Sequence, residues 1–383
     1  MSGETFPTAY FLNTRTTPRT RGGVTIALPA GLRFTVPGRR AGPAASLEIR
    51  NWRALARLVR EGGVGFADAY RDGDWDSPDL AALVEWGARN RFQSSARAKH
   101  AVSTSPGRAT SAANVAAHYD LGNDFYRQWL DPTLSYSAAL FGREDGDLES
   151  AQRAKLRRIL DLTGAKPGQH ILEIGCGWGG FALLAARERG VRVTAVTLSR
   201  AQQDYARRQV AEAGLQDRVE ILLRDYRDLT GQYDHAVSIE MFEAVGEADW
   251  PVFFHTLRER LAPGGRAALQ VITIRPEMFP RYRARMDFIR RFVFPGGMLP
   301  PPAALHRGAA TAGLRVLADE RFGAHYARTL SLWRERFEDA WPRIAPLGFD
   351  ERFRRLWRLY LAYCEGGFRA GNIDVHQIAL ARP

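Results

Sequence analysis

The stretch that most constrains the fold is residues 170–203, HILEIGCGWGGFALLAARERGVRVTAVTLSRAQQ. Residues 170–174 have the pattern of a short buried strand, and residues 181–189 show the apolar spacing of a helix. The glycines between them are Gly175, Gly177 and Gly180. Such a turn lets the backbone approach a ligand closely, and the free N–H groups of the following helix point at the same place. The sequence therefore predicts a cofactor site at this turn.

The next strand narrows the choice of cofactor. Residues 191–196 end where a dinucleotide-binding fold places an acid for the ribose hydroxyl, but Thr197 stands there. A nicotinamide-dependent dehydrogenase is therefore disfavoured. Glu173, two residues before Gly175, instead resembles the acid of the first motif of S-adenosylmethionine-dependent methyltransferases. A purely structural turn in an ordinary α/β domain remains the alternative at this point.

The pattern from residue 169 onward is an alternation of strands and helices, which predicts a parallel sheet covered on both faces. The further strands of this sheet are expected at residues 219–223, 234–239 and 266–274. Ligands of such sheets lie at the carboxyl ends of the strands. A strong helix is expected at residues 351–363, and the final IDVHQIALARP reads as an edge strand.

The first part of the chain reads as a separate, smaller α+β domain. Its predicted strands are 23–28, 32–36 and 45–49, and its first helix is 52–60. We expect an accessory, lipid-docking domain at 1–93, a polar linker at 94–113 and the catalytic domain at 114–383. The acidic cluster Asp72, Asp74 and Asp76 lacks a calcium loop's final glutamate, since Val84 holds that place, so turn chemistry is favoured over a metal site.

The net charge of +12, from 54 basic and 42 acidic residues, favours an anionic partner. Charge alone leaves open a nucleic acid, an acidic small molecule or an anionic membrane. Residues 275–300 combine an apolar stripe with arginines, which is typical of a basic amphipathic helix lying on a bilayer or of a lid over the site. Because we find no apolar run of roughly 20 residues and no signal peptide, we expect a cytoplasmic protein.

A set of motifs in order through residues 118–383 carries a more specific likeness. These motifs are HYDLGNDFY (118–126), LDPTLSYSAALF (130–141), ESAQRAKLRRIL (149–160), LEIGCGWGG (172–180), TLSRAQ (197–202), RDYRD (224–228), SIEMFEAVG (238–246), FPGGMLP (294–300) and YCEGGFRAGNIDVHQ (363–377). With them the chain resembles the cyclopropane-fatty-acyl-phospholipid synthases and the mycolic acid cyclopropane synthases.

The resemblance implies a class I methyltransferase fold, Rossmann-like and doubly wound, with helical lid insertions. It implies methyl transfer from S-adenosylmethionine to the cis double bond of an unsaturated phospholipid acyl chain, at the inner face of the membrane. The cofactor-binding residues expected from it and from the strand ends are Tyr136, Ser137, Glu173, Gly175, Gly177, Trp178, Gly179, Thr197, Ser199, Gln202, Asp225 and Tyr226. Methyl transfer to an alkene leaves a cation, and aromatic faces stabilise cations. The candidates for that role are Tyr136, Phe141, Phe242 and Tyr360.

Family members commonly hold a bicarbonate ion as the base that closes the ring, using a cysteine, a glutamate, a histidine and a tyrosine. By resemblance, Glu243 and Tyr360 match the glutamate and the tyrosine. Ala138 takes the place of the cysteine and Gln270 that of the histidine. The catalytic residues expected are therefore Glu243, Tyr360, Gln270 and Tyr136, with bicarbonate as a candidate second cofactor. The two replacements leave two products open, a cyclopropane ring and a methyl- or methylene-branched chain.

The sequence fits other functions less well. A methyltransferase acting on RNA or DNA would favour an Asn/Asp-Pro-Pro-aromatic motif after the fourth strand, and SIEMFEAVG offers none. We therefore expect no nucleic acid partner and no metal. A non-catalytic lipid- or cofactor-binding relative is the alternative that Ala138 and Gln270 keep open. A homodimer is compatible with the sequence.

Overall fold

The structure is a computed structural model, and it describes residues 20–90, 121–142 and 146–383. The chain divides into two compact units, Met1–Ala98 with Glu351–Ala370, and Lys99–Asp350 with Gly371–Pro383. The predicted linker 94–113 and the start of the HYDLGNDFY motif lie outside the described residues. Within the described ranges, no helix is long and apolar enough to cross a membrane.

The first unit holds a four-stranded sheet in the order β2-β1-β3-β4, flanked by helices α1, α2 and α12. The strands are β1 (Arg21–Ala27), β2 (Arg33–Val36), β3 (Arg40–Ile49) and β4 (Trp75–Asp76), and the helices are α1 (Arg53–Arg71), α2 (Leu80–Arg89) and α12 (Glu351–Arg369). The helix α1 runs well past the predicted residue 60 and kinks at Gly62, where φ is 67°.

The helix α12 was expected in the catalytic domain, but its packing partners are α1 and α2 of the first unit. A Cβ on Gly366 would lie 2.7 Å from Val84 Cγ1, so glycine allows the close crossing with α2. Arg355, a buried residue of α12, donates to the carbonyl oxygens of Tyr70 and Trp75. These contacts explain why the unit includes a segment that is distant in sequence.

The acidic cluster of the first unit forms arginine pairs, as turn chemistry predicts. Asp74 bonds Arg53 at 2.7 Å through both oxygens, and Asp72 accepts from Arg57 at 2.7 Å. Asp76 accepts from Arg355 at 3.1 Å. The three carboxylates therefore connect the helices α1 and α12 to the turn.

The second unit is built on a seven-stranded sheet in the order β10-β11-β9-β8-β5-β6-β7. Its strands are β5 (His170–Ile174), β6 (Arg192–Thr197), β7 (Val219–Leu223), β8 (Tyr233–Ile239), β9 (Leu261–Ile274), β10 (Arg315–Arg321) and β11 (Ile373–Ala381). The five strands β5 to β9 run parallel, and β11 is antiparallel to both β9 and β10. The fold class predicted from the sequence is confirmed.

The helices of this unit are α3 (Asn123–Arg127), α4 (Leu148–Thr163), α5 (Gly180–Arg189), α6 (Arg200–Glu212), α7 (Trp250–Arg260), α8 (Phe279–Ala284), α9 (Phe288–Phe292), α10 (Pro302–Thr311) and α11 (Gly323–Ile344). They cover both faces of the sheet. Alternate strand residues point to opposite faces, and Ile171 packs in one apolar cluster with α4 and α5 while Leu172 packs in another with α7 and α10. The core therefore lies on both sides of the sheet.

Two expectations for this unit were wrong. The last strand, β11, is not an edge strand, because it pairs with β9 on one side and with β10 on the other. The predicted continuous amphipathic helix is two short helices, since Arg285 is extended and Asp287 caps a new helix by accepting from Arg290 N–H. The Arg290 side chain, expected on a solvated face, is buried and lies over the Tyr282 ring at 4.3 Å.

Candidate active site

The glycine turn after β5 joins the strand to the N-terminus of α5. Gly175 has φ 82°, and a Cβ there would lie 2.7 Å from Met241 Cγ. Gly177 has φ 52°, and a Cβ there would meet no described atom within 4 Å. Gly179, with φ 87°, is the N-cap of α5. The turn therefore combines left-handed backbone, open space and helix N–H groups, which fits a nucleoside cofactor approaching its backbone.

The end of β6 supplies a second group of predicted cofactor residues. The Thr197 hydroxyl donates to Gln202 Oε1 at 2.8 Å, and Ser199 caps α6 by accepting from the Gln202 N–H. Since Thr197 occupies the amide oxygen, the amide NH₂ of Gln202 is the end suited to a ribose oxygen. The structure brings these three side chains together beside the glycine turn, where Val196 O accepts from Gly175 N–H.

Asp225 and Tyr226 follow β7. Both oxygens of the Asp225 carboxylate bond the Arg227 guanidinium, and one also caps the Arg227 N–H. The Tyr226 ring packs edge-on against Phe253 at 5.6 Å in the apolar core. Arg227 orients Asp225, and this contact was not predicted from the sequence.

The loop before α4 carries Tyr136 and Ser137. The Tyr136 ring contacts Tyr126, Trp129 and Trp333, with centroids 5.4–5.6 Å apart. Tyr126 also contacts Trp178 of the glycine turn at 4.9 Å. An aromatic cluster therefore connects the loop to the cofactor turn.

Two other aromatic candidates are differently placed. An Arg328 guanidinium already lies over the Phe141 ring at 4.2 Å, and that contact occupies a face suited to a cation. Phe242 is buried among the rings of Trp250, Phe253 and Phe254. Of these three rings only Tyr136 is half-buried, whereas Phe141 and Phe242 are buried, and its role in stabilising a cation stays a prediction.

Glu240, at the end of β8, is the centre of a cluster that sequence reasoning missed. Its Oε1 accepts from Ala138 N–H at 2.8 Å and from Gln270 Nε2 at 2.7 Å. Its Oε2 accepts from the Tyr326 hydroxyl at 2.6 Å. The residue has φ 49°, which is uncommon for a residue with a side chain. Burial raises the pKa of Glu240, against the effect of these three donors.

Gln270 is fully engaged in this cluster. Its amide nitrogen donates to Glu240 and, at 3.3 Å, to Ala138 O, while its amide oxygen accepts from Gln377 at 2.9 Å. Gln270 and Gln377 are cross-strand partners on β9 and β11. Its side chain is therefore a positioning group for Glu240.

Glu243 lies near Glu240 and accepts from Ile272 N–H through Oε1. Among the described residues its buried Oε2 has no hydrogen-bond partner. Burial and the nearby charge of Glu240 raise the pKa of Glu243 to about 8. Near neutral pH Glu243 is thus mainly protonated. Of the two glutamates, Glu240 is the one whose ionised form is better stabilised, because its carboxylate accepts three hydrogen bonds.

Tyr360 lies on α12 of the first unit, buried with its ring against Trp357 at 5.1 Å. Its catalytic role stays a prediction. The tyrosine hydroxyl found beside Ala138 and Gln270 is that of Tyr326, on α11. The signal that could have found it is the polar trio His325, Tyr326 and Thr329, at helical spacing on an otherwise apolar face.

Glu173 and Lys155 are buried behind the loop. Lys155 Nζ donates to Ser137 Oγ at 2.6 Å. Burial raises the pKa of Glu173 to about 8, and among the described residues its Oε2 has no hydrogen-bond partner. The predicted cofactor residue Glu173 therefore belongs to the same group of buried ionisable side chains as Lys155.

Comparison with known proteins agrees with this geometry. The family model "mycolic acid cyclopropane synthetase" matches residues 107–378. The chain is 42% identical over 368 residues to the tuberculostearic acid methyltransferase of Mycobacterium tuberculosis, covering 91% of this chain and 86% of that one. It is 36% identical over 349 residues to the cyclopropane-fatty-acyl-phospholipid synthase of Escherichia coli, covering 88% of each.

Solved structures give the same result. A mycolic acid cyclopropane synthase in complex with S-adenosylhomocysteine has 33% identity and a TM-score of 0.67, over 72% of this chain and 99% of that one. A cyclopropane synthase of Mycobacterium tuberculosis matches at the same identity and TM-score. The chain therefore belongs to the mycolic acid cyclopropane synthetase family, and it is an S-adenosylmethionine-dependent methyltransferase of the cyclopropane and fatty acid type.

Proposed function

We propose that this enzyme adds one carbon to the cis double bond of an unsaturated phospholipid acyl chain, and that Glu240 is the base that completes the reaction. The observation that carries the proposal is the set of three donors, Ala138 N–H, Gln270 Nε2 and Tyr326 O–H, around the Glu240 carboxylate. The resemblance assigns the places of Ala138 and Gln270 to side chains that hold bicarbonate. A carboxylate of the chain itself thus takes the role of that ion.

The cofactor fits the turn after β5 and the end of β6. Gly177 offers open space to the ribose or methionine part, and Gln202, oriented by Thr197, offers its amide NH₂ to a ribose hydroxyl. When bound, S-adenosylmethionine supplies a sulfonium methyl group, whose capture by the alkene π pair leaves a thioether and a cation on the acyl chain. The Tyr136 ring stabilises that cation, and its aromatic neighbours help to exclude water.

Glu240 then takes a proton from the acyl chain, and the electron pair of the broken C–H bond decides the product. If the proton leaves the added methyl group at once, the pair closes a cyclopropane ring. If a hydride shift comes first, the pair forms a carbon–carbon double bond and gives a methylene branch. Glu243, protonated near neutral pH, leaves Glu240 as the acceptor.

We propose the branched product. Two points support it. By resemblance, Ala138 and Gln270 stand where ring-closing enzymes have two side chains that hold bicarbonate, and the relative at 42% identity is named a tuberculostearic acid methyltransferase. The cyclopropane product is the second candidate, supported by the relative from Escherichia coli that is named a cyclopropane-fatty-acyl-phospholipid synthase.

The test uses purified full-length protein, vesicles of unsaturated phospholipid and S-adenosylmethionine with a CD₃ group. We expect a labelled acyl chain that retains two of the three deuterium atoms, because the third is the one that Glu240 removes, as D⁺. Ozonolysis then cleaves a methylene branch and leaves a ring intact. The absence of any labelled acyl chain, with cofactor binding measured, would contradict the proposal.

The base is tested by replacing Glu240. Glu240→Gln keeps the shape but removes the base, and we expect turnover to fall at least about 100-fold. Glu240→Gly removes the side chain at a backbone conformation that glycine adopts freely, so the protein should fold. Added bicarbonate should then restore part of its activity, while the unaltered enzyme should be indifferent to bicarbonate. Full activity of Glu240→Gln, or bicarbonate dependence of the unaltered enzyme, would reject Glu240 as the base.

We also propose that the first unit docks the enzyme on an anionic membrane surface. Its helix α1 exposes Val59 by 61%, and Trp52 just before it by 45%. Arg53 and Arg60 lie beside them in sequence, and their side chains are exposed by 52% and 69%. Exposed apolar residues next to arginines suit the headgroup region of a bilayer.

A further inference from the structure

The buried face of α4 contacts the loop that carries Tyr136 and Ser137. Gln152 and Lys155 lie three residues apart on this face, and both are almost completely buried, at 0% and 1% exposure. Gln152 Nε2 donates to Ser137 O at 2.8 Å, and Lys155 Nζ donates to Ser137 Oγ at 2.6 Å. Ser137 is thus fixed through both its carbonyl group and its side chain.

Ala138, the residue after Ser137, connects this segment to the proposed base Glu240. Ala138 donates its N–H to Glu240 Oε1 at 2.8 Å, and its carbonyl oxygen accepts from Gln270, which also bonds Glu240. A shift of Ser137 would therefore move two of the groups that orient the Glu240 carboxylate. The connection runs from Lys155 through one hydroxyl and one peptide bond.

Lys155 is also the cation of a buried group of carboxylates. The charges that act on it are those of Glu240 after β8, Asp131 of the loop and Glu173 of β5. Further out, the charge of Arg336 acts on Asp131, while Glu240 acts on Glu243 and Glu173 acts on Cys176. Burial lowers the pKa of Lys155 to about 8, against the effect of the three carboxylates. An ammonium group buried at this depth needs such partners.

We propose that Lys155 is a positioning residue for the reaction: it fixes the Ser137–Ala138 segment and supplies a positive charge to the buried group that contains the base Glu240. This inference rests on the proposed role of Glu240. Among the described residues that interact with Glu240, Lys155 is the one that carries a charge, because Tyr326, Gln270 and Ala138 are neutral hydrogen-bond donors. Removal of the Lys155 ammonium group should therefore raise the pKa of Glu240.

The test is the pH dependence of kcat for Lys155→Met, with Lys166→Met as a matched control, because Lys166 is exposed. In the unaltered enzyme kcat should rise with pH as Glu240 ionises. Without the ammonium group this rise should move to higher pH by about one unit. The Lys166→Met variant should reproduce the profile of the unaltered enzyme.

Two further variants separate charge from hydrogen bonding. Lys155→Gln can still donate to Ser137 but carries no charge, so it should show the same shift as Lys155→Met, and it replaces that variant if Lys155→Met does not fold. Lys155→Arg keeps the charge and should leave the rise in kcat close to its normal pH. A uniform loss of kcat at every pH, with no shift in either neutral variant, would overturn the inference.

The failure of this inference can be told apart from the failure of the proposed function. If Glu240→Gln keeps activity and the same pH profile, Glu240 is not the base, whatever Lys155 does. If Glu240→Gln is inactive but Lys155→Met and Lys155→Gln keep the normal profile, only the role of Lys155 is rejected.

Discussion

Gly175 and Gly177 lie two residues apart in one turn, but a methyl group added at each would meet different surroundings. At Gly175 the new Cβ would lie 2.7 Å from the Met241 side chain. At Gly177 it would enter space that is open in the structure and that the cofactor is proposed to use. Both positions have positive φ, so either substitution also strains the backbone by roughly 1–2 kcal/mol.

We therefore predict different outcomes for the two alanine variants. Gly175→Ala should lower the melting temperature by several degrees, because clash and strain add up. Gly177→Ala should lose less stability but weaken the binding of S-adenosylmethionine by about tenfold or more. Thermal denaturation and titration calorimetry on the full chain measure the two effects. Equal cofactor affinity in Gly177→Ala and the unaltered protein would show that this space is not used.

At the scale of single residues, the sequence predicted the glycine turn but not the proposed base, Glu240. Gly175, Thr197 and Gln202 are recognised because they follow strands at fixed distances, which is local information. Glu240 gains its role from Ala138 and Tyr326, which lie 102 and 86 residues away in the chain. No periodicity in the sequence encodes such a convergence.

Among the secondary structure elements of the second unit, the parallel strands were predicted, although β9 begins at Leu261 and not at residue 266. The strand β11 was also predicted, but its position in the sheet was not. The strands β5 and β7 have the predicted bounds, because they are short and apolar and turn residues border them. The sequence RVLADER of β10 is mostly polar and partly exposed, as suits an edge, and it was not recognised as a strand. Because the sequence does not predict β10, it predicts β11 at the edge of the sheet.

The edge strand β10 is joined to neighbouring elements by a half-buried carboxylate, Asp319, that contacts two histidines. Asp319 accepts from His376 of β11 at 2.6 Å and from His306 of α10 at 2.7 Å. Burial acts to raise the pKa of Asp319, but the two histidines outweigh it and hold this pKa below its usual value. The carboxylate therefore adds stability above about pH 4, the usual pKa of an aspartate, and this contribution is lost as the pH falls through the lower folded-state pKa.

From this contact we predict that Asp319→Asn lowers the free energy of unfolding by about 1–3 kcal/mol at pH 7. The difference from the unaltered protein should shrink below about pH 4, where the aspartate of the unaltered protein also becomes protonated. Urea denaturation at pH 7 and at pH 3.5 measures it. Asp161→Asn, at an exposed position of α4, serves as the control. A difference that is the same at both pH values would reject the linkage.

For the whole molecule, the charge of +12 gives a prediction about the membrane. We expect the full chain to sediment with vesicles that contain anionic phospholipid and to remain in solution with zwitterionic vesicles. About 0.5 M salt should release it, because screening shortens the reach of surface charges to a few ångströms. Replacing Trp52 and Val59 with serine should weaken binding even at low salt. Equal binding to both vesicle types would argue against an electrostatic contribution.

The backbone of Glu240 also bears on how such a base can arise. A left-handed position favours glycine, and the glycine codons GGA and GGG become the glutamate codons GAA and GAG by one nucleotide change. A chain with glycine at this turn would leave room for an ion from solution, whereas a chain with glutamate supplies the carboxylate as its own side chain. At this position a single point mutation therefore separates an enzyme that uses an ion from solution as its base from one that uses a glutamate side chain. Both residues would have the same left-handed main-chain conformation.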